Sequence, residues 1–152
     1  VVLASDSGYG FVSRLGDLQT KNKSGKAALK IPENGKALSP QNVFTAQDKI
    51  AAINSEGRML IFPVGDLPEL ARGKGNKIMN IPKQKYLAGE EKLEAIAILS
   101  KETSLKLYSG KRHFTIKPKD LRNFEGSRGL RGNLLPKGFR KVDRIEVLHK
   151  DE

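Results

Sequence analysis

Two kinds of apolar patterning alternate along this chain. Short, nearly continuous apolar runs occur at Lys49-Ile-Ala-Ala-Ile-Asn54, Arg58-Met-Leu-Ile-Phe62 and Leu93–Leu99, while Leu105-Lys-Leu-Tyr108 and Lys141–Leu148 alternate with period two. Runs of this length, rich in β-branched and aromatic residues and bounded by turn residues, predict strands. Val1-Val-Leu-Ala4 and Val43-Phe-Thr45 read the same way. Between successive runs lie Ser55-Glu-Gly57, Ser100–Thr103 and Ser109-Gly110, tight turns that predict β-hairpins. Gly89–Leu99 is open to a helix on propensity alone, but its phase in the pattern predicts mostly strand.

The pattern repeats. Gly8-Tyr-Gly-Phe-Val leads to Asp17-Leu18 and then Lys21–Lys26; Gly57-Arg-Met-Leu-Ile-Phe leads to Asp66-Leu67 and then Arg72–Lys77; Gly110-Lys-Arg-His-Phe-Thr-Ile leads to Asp120-Leu121 and then Arg128–Gly132. The opening glycines fall 49 and 53 residues apart. Units of about 50 residues with four strands each describe propeller-type blades, here about three in a single domain, 1–152, with approximate repeats 1–42, 43–92 and 93–152. Leu18, Leu67 and Leu121 are expected to plug the core. Asp17, Asp66 and Asp120 are expected to cap turns or short helices through their carboxylates. Gly75–Pro82 and Gly132–Pro136 read as strands leading onward. Lys141–Leu148 reads as one more strand, able to pair with another unit and cap the array. Tyr9 and Tyr108 are expected to pack in strands and Tyr86 to lie in a loop. The chain opens within a strand and without methionine, and reads as a piece of a longer polypeptide.

Charge then changes the picture. The 152 residues carry a formal net charge of +11, with 30% charged and 38% hydrophobic positions, the balance of a folded rather than a disordered protein. The excess is clustered: five cations and no acid between Ala71 and Lys85, and twelve cations against Asp120, Glu125 and Asp143 between Thr103 and Arg144. A polyanion partner follows, because neutralising phosphates releases condensed counterions. Glycine lets a backbone approach a phosphate while Lys and Arg hold it. The candidate nucleic-acid-contacting groups are therefore Arg72, Lys74 and Lys77 in one loop, Arg128 and Arg131 in another, and Lys21, Lys23 and Lys26 in a third. Arg58, Lys111 and Arg112, just past the hairpin turns, extend the track. With little periodic helix there is no evident recognition helix, so weak sequence preference is expected. A propeller-type platform for acidic protein partners is the competing reading.

Catalytic equipment is sparse. His113 and His149 are the only histidines and have no metal-ligand spacing between them, and cysteine is absent, which removes disulfides and thiolate sites and fits a cytosolic protein. Arg72-Gly-Lys-Gly-Asn-Lys77 lacks the order of a phosphate-binding P-loop. No run of roughly 18 apolar residues suggests a membrane span. No catalytic or metal residue is assigned.

The stretch Gly57–Pro82, with Gly8-Tyr-Gly-Phe-Val, Asn22–Lys26 and Gly126–Gly132 running into Val142–Glu146, resembles the C-terminal domain of the A subunit of bacterial DNA topoisomerase IV (ParC). The likeness covers essentially the whole chain. The related gyrase A domain carries a sharper basic-glycine box, of which Ala71–Gly75 is a degenerate version. The resemblance implies an all-β β-pinwheel, a partial disc whose blades exchange strands and whose basic edge binds and bends double-stranded DNA for strand passage. It also implies that the nucleophilic tyrosine lies elsewhere, since none of Tyr9, Tyr86 and Tyr108 follows an arginine. It further implies that ATP and magnesium chemistry belongs to the B subunit of a heterotetramer, with no cofactor in this domain, and a cytoplasmic, nucleoid-associated location.

Overall fold

The structure is a computed structural model that describes residues 1–13, 31–32, 35–45, 47–71 and 73–149. In chain order the elements are β1 (Val2–Ala4), β2 (Tyr9–Val12), β3 (Lys49–Asn54), β4 (Arg58–Pro63), β5 (Asn76–Lys77), α1 (Lys83–Leu87), β6 (Leu93–Leu99), β7 (Ser104–Ser109), β8 (Arg112–Ile116), α2 (Pro118–Leu121), β9 (Asn133–Leu134) and β10 (Arg144–Leu148). Single 3-10 turns cover Val64–Asp66 and Arg122–Phe124.

Three antiparallel sheets form, with strand orders β1-β2-β5, β6-β3-β4-β9 and β10-β7-β8. The β6-β3-β4-β9 sheet lies between the other two, and its residues alternate between two cores. Ile50, Ala52, Leu60 and Phe62 pack with Val2, Ala4, Ile78 and Met79 on one side. Ala51, Ile53, Met59 and Ile61 pack with Leu105, Leu107, Ile116 and Leu135 on the other. A strand buried on both faces has no polar side to show, which is why β3 and β4 are unbroken apolar runs. The third sheet has one wet face: β8 buries only Ile116, and β7 alternates buried with half-buried residues.

Strands cross the repeat boundaries. β5 pairs backward onto β2 (Tyr9↔Lys77, Gly10↔Asn76), and β9 pairs backward onto β4 (Arg58↔Leu134, Met59↔Asn133). The same bond fastens each junction: Ile78 donates its N–H to the Gly8 carbonyl at 2.6 Å and Leu135 donates to the Gly57 carbonyl at 2.8 Å. These segments are thus edge strands for the preceding unit rather than leads into the next. β10 pairs with β7 over five residues, within the third unit.

Three other expectations are corrected. Val43–Thr45 forms no strand; Gln41 bridges to Val2 in β1 and Ala37 to Ser5 just past it instead, and Phe44 is 72% exposed. Asp66 and Asp120 do not cap the 3-10 turn and α2: the N-cap positions are Pro63 and Lys117, neither makes a side-chain cap bond, and both aspartates lie inside their turns. The carboxylate that does organise a turn is that of Asp48. It is 1% exposed and accepts N–H bonds from Phe44 and Thr45 at 2.8 and 3.0 Å and the Thr45 hydroxyl at 2.9 Å. Tyr86 lies in α1, not a loop, and its hydroxyl donates to Asp6 Oδ1 at 2.6 Å. The leucine plugs behave as expected, Leu67 and Leu121 each being 6% exposed; Leu18 and Asp17 lie outside the described residues.

Candidate nucleic-acid interface

Backward pairing carries the second basic loop against the third. Gly129 donates its N–H to the Ile78 carbonyl at 3.0 Å, and Asn80 donates to the Leu130 carbonyl at 2.9 Å. The guanidinium of Arg128 donates to the Lys77 carbonyl at 2.8 Å, that of Arg131 to the Asn80 carbonyl at 3.4 Å, and that of Arg58 to the Gly132 carbonyl at 3.0 Å. Five sequence-predicted residues, Arg58, Lys74, Lys77, Arg128 and Arg131, therefore share one seam. Two glycines allow the approach. A Cβ on Gly75 would land on the Gly10 carbonyl oxygen and one on Gly132 on the Met59 carbonyl oxygen, and both glycines sit at positive φ, 78° and 77°.

Cations along the seam differ in use. Lys74 is exposed, with its ammonium 4.7 Å from the centre of the Tyr9 ring, a cation–π contact. Lys77 is half-buried and reaches Asn80 Oδ1 at 3.5 Å. Arg131 is committed to protein: its guanidinium lies 3.0 Å from Glu91 Oε1 and 3.9 Å from Glu56 Oε2. The Glu91 side chain is fully buried and takes a further bond from Asn54 Nδ2 at 3.3 Å, with Lys85 at 3.9 Å. Glu56 is held below the ordinary carboxyl range, chiefly by its hydrogen bond with Glu91. Burial opposes this, and Lys85 and Arg131 add to it. Lys85 and Arg131 are thus both engaged by Glu56 and Glu91, and the field at this edge falls to Arg58, Lys74, Lys77 and Arg128.

Lys111 and Arg112 sit at the β7–β8 hairpin, in the place that Tyr9-Gly10 and Arg58-Met59 occupy in the other units. Among the described residues no hydrogen bond or ion pair ties either to the seam. Lys21, Lys23, Lys26 and Arg72 lie outside the described residues. Sequence reasoning missed Glu91, Asn80 and Lys83; the acid-free run from Ala71 to Lys85 was the signal for Lys83. Among the described residues no group of three or more His, Cys, Asp or Glu is placed to hold a metal ion, and no helix is long and apolar enough to cross a membrane.

A stack of strand-exchanging antiparallel sheets with a basic seam defines the class of propeller-like topoisomerase C-terminal domains. The chain belongs to the family described as the DNA gyrase C-terminal domain, beta-propeller, which matches residues 1–43 and 48–100. It is 48% identical over 147 residues to the DNA topoisomerase 4 A subunit of Pseudomonas aeruginosa, covering 96% of this chain and 20% of that protein. It is 42% identical over 147 residues to the Escherichia coli protein of the same name, covering 97% of this chain and 19% of that one. The chain therefore spans about a fifth of the length of these curated relatives. The solved E. coli ParC C-terminal domain superimposes with a TM-score of 0.86 at 42% identity, over 96% of this chain and 59% of that one. A solved gyrase A C-terminal domain shares the fold at a TM-score of 0.76 and 15% identity, over 98% of this chain and 48% of its own. The all-β pinwheel expected from the sequence is the fold observed.

Proposed function

We propose that this domain binds double-stranded DNA along its basic seam and bends it, presenting segments for strand passage by a topoisomerase IV whose catalytic residues lie elsewhere. The observation that carries this reading is the interlocking of the Gly73–Asn80 and Gly126–Gly132 loops, which sets Lys74, Lys77 and Arg128 beside one another on a single edge. Bending a duplex costs on the order of 1–6 kcal/mol, so a track of several phosphate contacts is needed to offset it. In the cell the partners of the domain are nucleoid DNA, the rest of the A subunit, and the B subunit.

The test is equilibrium binding of the domain to linear duplex DNA over a series of salt concentrations. Neutralising Arg72, Lys74 and Lys77 together is expected to weaken binding and to lower the salt slope by about 0.9 per lost contact, roughly three in all, with the fold intact. Equal affinity and an unchanged slope in the triple variant would overturn the assignment. Capture of acidic proteins with no affinity for DNA would favour the protein-interaction platform instead.

A further inference from the structure

Beside the seam, between the first hairpin turn and α1, lies a cavity of about 560 Å3. That volume is in the range of small-molecule sites. Its lining includes Lys74, Lys77, Lys83, Tyr9, Tyr86 and Leu87, and no carboxylate among the described residues lines it. Asp6 is 8% exposed and meets Tyr86 at the hydroxyl, lining a separate cavity. Burial above all, then the bond and charge of Asp6, push the Tyr86 hydroxyl up to about 12, so the phenol stays neutral. Three lysines therefore line the cavity together with aromatic and aliphatic residues, the Lys74 ammonium lying 4.7 Å from the centre of the Tyr9 ring, and no acid is among the described lining residues. Leu87 stands 69% exposed at the rim.

A phosphate track on a duplex needs the lysines but has no use for the rest. Base pairs inside a duplex keep their faces covered by their neighbours, and only an unpaired base can lie against a tyrosine ring or a leucine. We propose that this cavity is a site for one nucleotide unit, its phosphate held by Lys74, Lys77 and Lys83 and its base laid against Tyr9, Tyr86 and Leu87. The unit arrives either as a free mononucleotide or as an unpaired nucleotide within a DNA strand. This site shares Lys74 and Lys77 with the duplex reading and differs from it by Lys83, Tyr86 and Leu87, so its test rests on those residues.

The experiment measures binding of the full chain to three probes: a labelled oligothymidylate, a labelled duplex of the same length, and thymidine 5′-monophosphate as competitor. Lys83→Gln and Leu87→Ser change exposed positions, and the thermal melt is followed for each to verify folding. Leu87→Ser is expected to lose about tenfold in affinity for the oligothymidylate, the scale of one lost base contact, and Lys83→Gln to weaken it and lower its salt slope by about 0.7, with duplex affinity unchanged in both. Competition by the mononucleotide identifies a free nucleotide as the ligand; binding of the oligonucleotide alone identifies an unpaired base in a strand. Equal weakening of single-strand and duplex binding, or no change in single-strand binding in either folded variant, would overturn the proposal. Loss of duplex affinity in the Arg72, Lys74, Lys77 variant tests the other reading and leaves this one to Lys83 and Leu87.

Discussion

The corner at Gly73–Lys77 and the corner at Arg128–Gly132 come from the same repeated phrase, yet they spend their positive charge differently. At the first, Lys74 is exposed over Tyr9 and Lys77 meets the neutral amide of Asn80. At the second, both arginines bond to backbone carbonyls, and Arg131 also neutralises a buried carboxylate. Guanidinium suits the second role, since its planar fork serves several acceptors at once, whereas a flexible ammonium suits a solvated phosphate. Equivalent positions in a duplicated scaffold are therefore not equivalent in function. One corner leaves its lysines open to solvent and a neutral neighbour, and the other uses its arginines to hold the first in place.

That contrast is exposed to test. The largest effect is expected where the two corners are alike. Gly75→Ala and Gly132→Ala each drive a methyl group onto a carbonyl oxygen at a positive φ, and each is expected to cost about 3–4 kcal/mol, seen as a lower denaturant midpoint. A large loss at one glycine and none at the other would break the equivalence of the two junctions. Next comes Arg131→Ala, which strands the Glu91 charge in the interior and is expected to remove about 2–3 kcal/mol of stability. Duplex affinity of the folded variant should change little; a large loss of affinity with normal stability would place Arg131 on the DNA instead.

Acid provides a reference away from both corners. Burial pushes the Asp48 carboxyl upward, but the bonds from Phe44 and Thr45 outweigh it and hold its folded-state value below the ordinary 3.8. Its contribution is thus complete above that ordinary value and is lost as pH falls through the lowered one. Asp48→Asn is expected to lower stability near neutrality by on the order of 1–2 kcal/mol and to flatten the acid limb of the stability profile below about pH 4. Retention of the wild-type acid limb would assign it to other carboxylates. The smallest effect on stability is expected from Lys74→Gln with Lys77→Gln, within about 0.5 kcal/mol. The same pair should lower the salt slope of duplex binding by about two.

The hairpins were legible because local signals agreed: β3 and β4 are apolar runs and β7 and β8 a more polar pair, each joined at a glycine turn, and β6 was legible as an apolar run although Val43–Thr45, its match in the repeat, forms no strand. The meeting of Lys74 and Lys77 with Arg128 and Arg131 was also legible, since a repeated phrase on a repeated scaffold brings like loops to like places. The rest depends on distant partners. α1 is five residues long with no buried face of its own, and its Tyr86 is anchored to a carboxylate 80 positions earlier. Glu91 gains its importance only from Arg131, 40 residues on, and that pairing exists because β9 reaches back to β4. The aspartate caps failed because Asp66 and Asp120 fall inside their turns rather than at the N-cap positions, which Pro63 and Lys117 occupy.

The reach of β5 and β9 back to the preceding sheet means that no unit can be lifted out as a cassette. Cutting the chain just before β5 would strip the outer strand from β2, and cutting before β9 would do the same to β4. Damage to one repeat is inherited by its neighbour, so in this molecule ancestry by duplication has ended in mutual dependence rather than in modular parts.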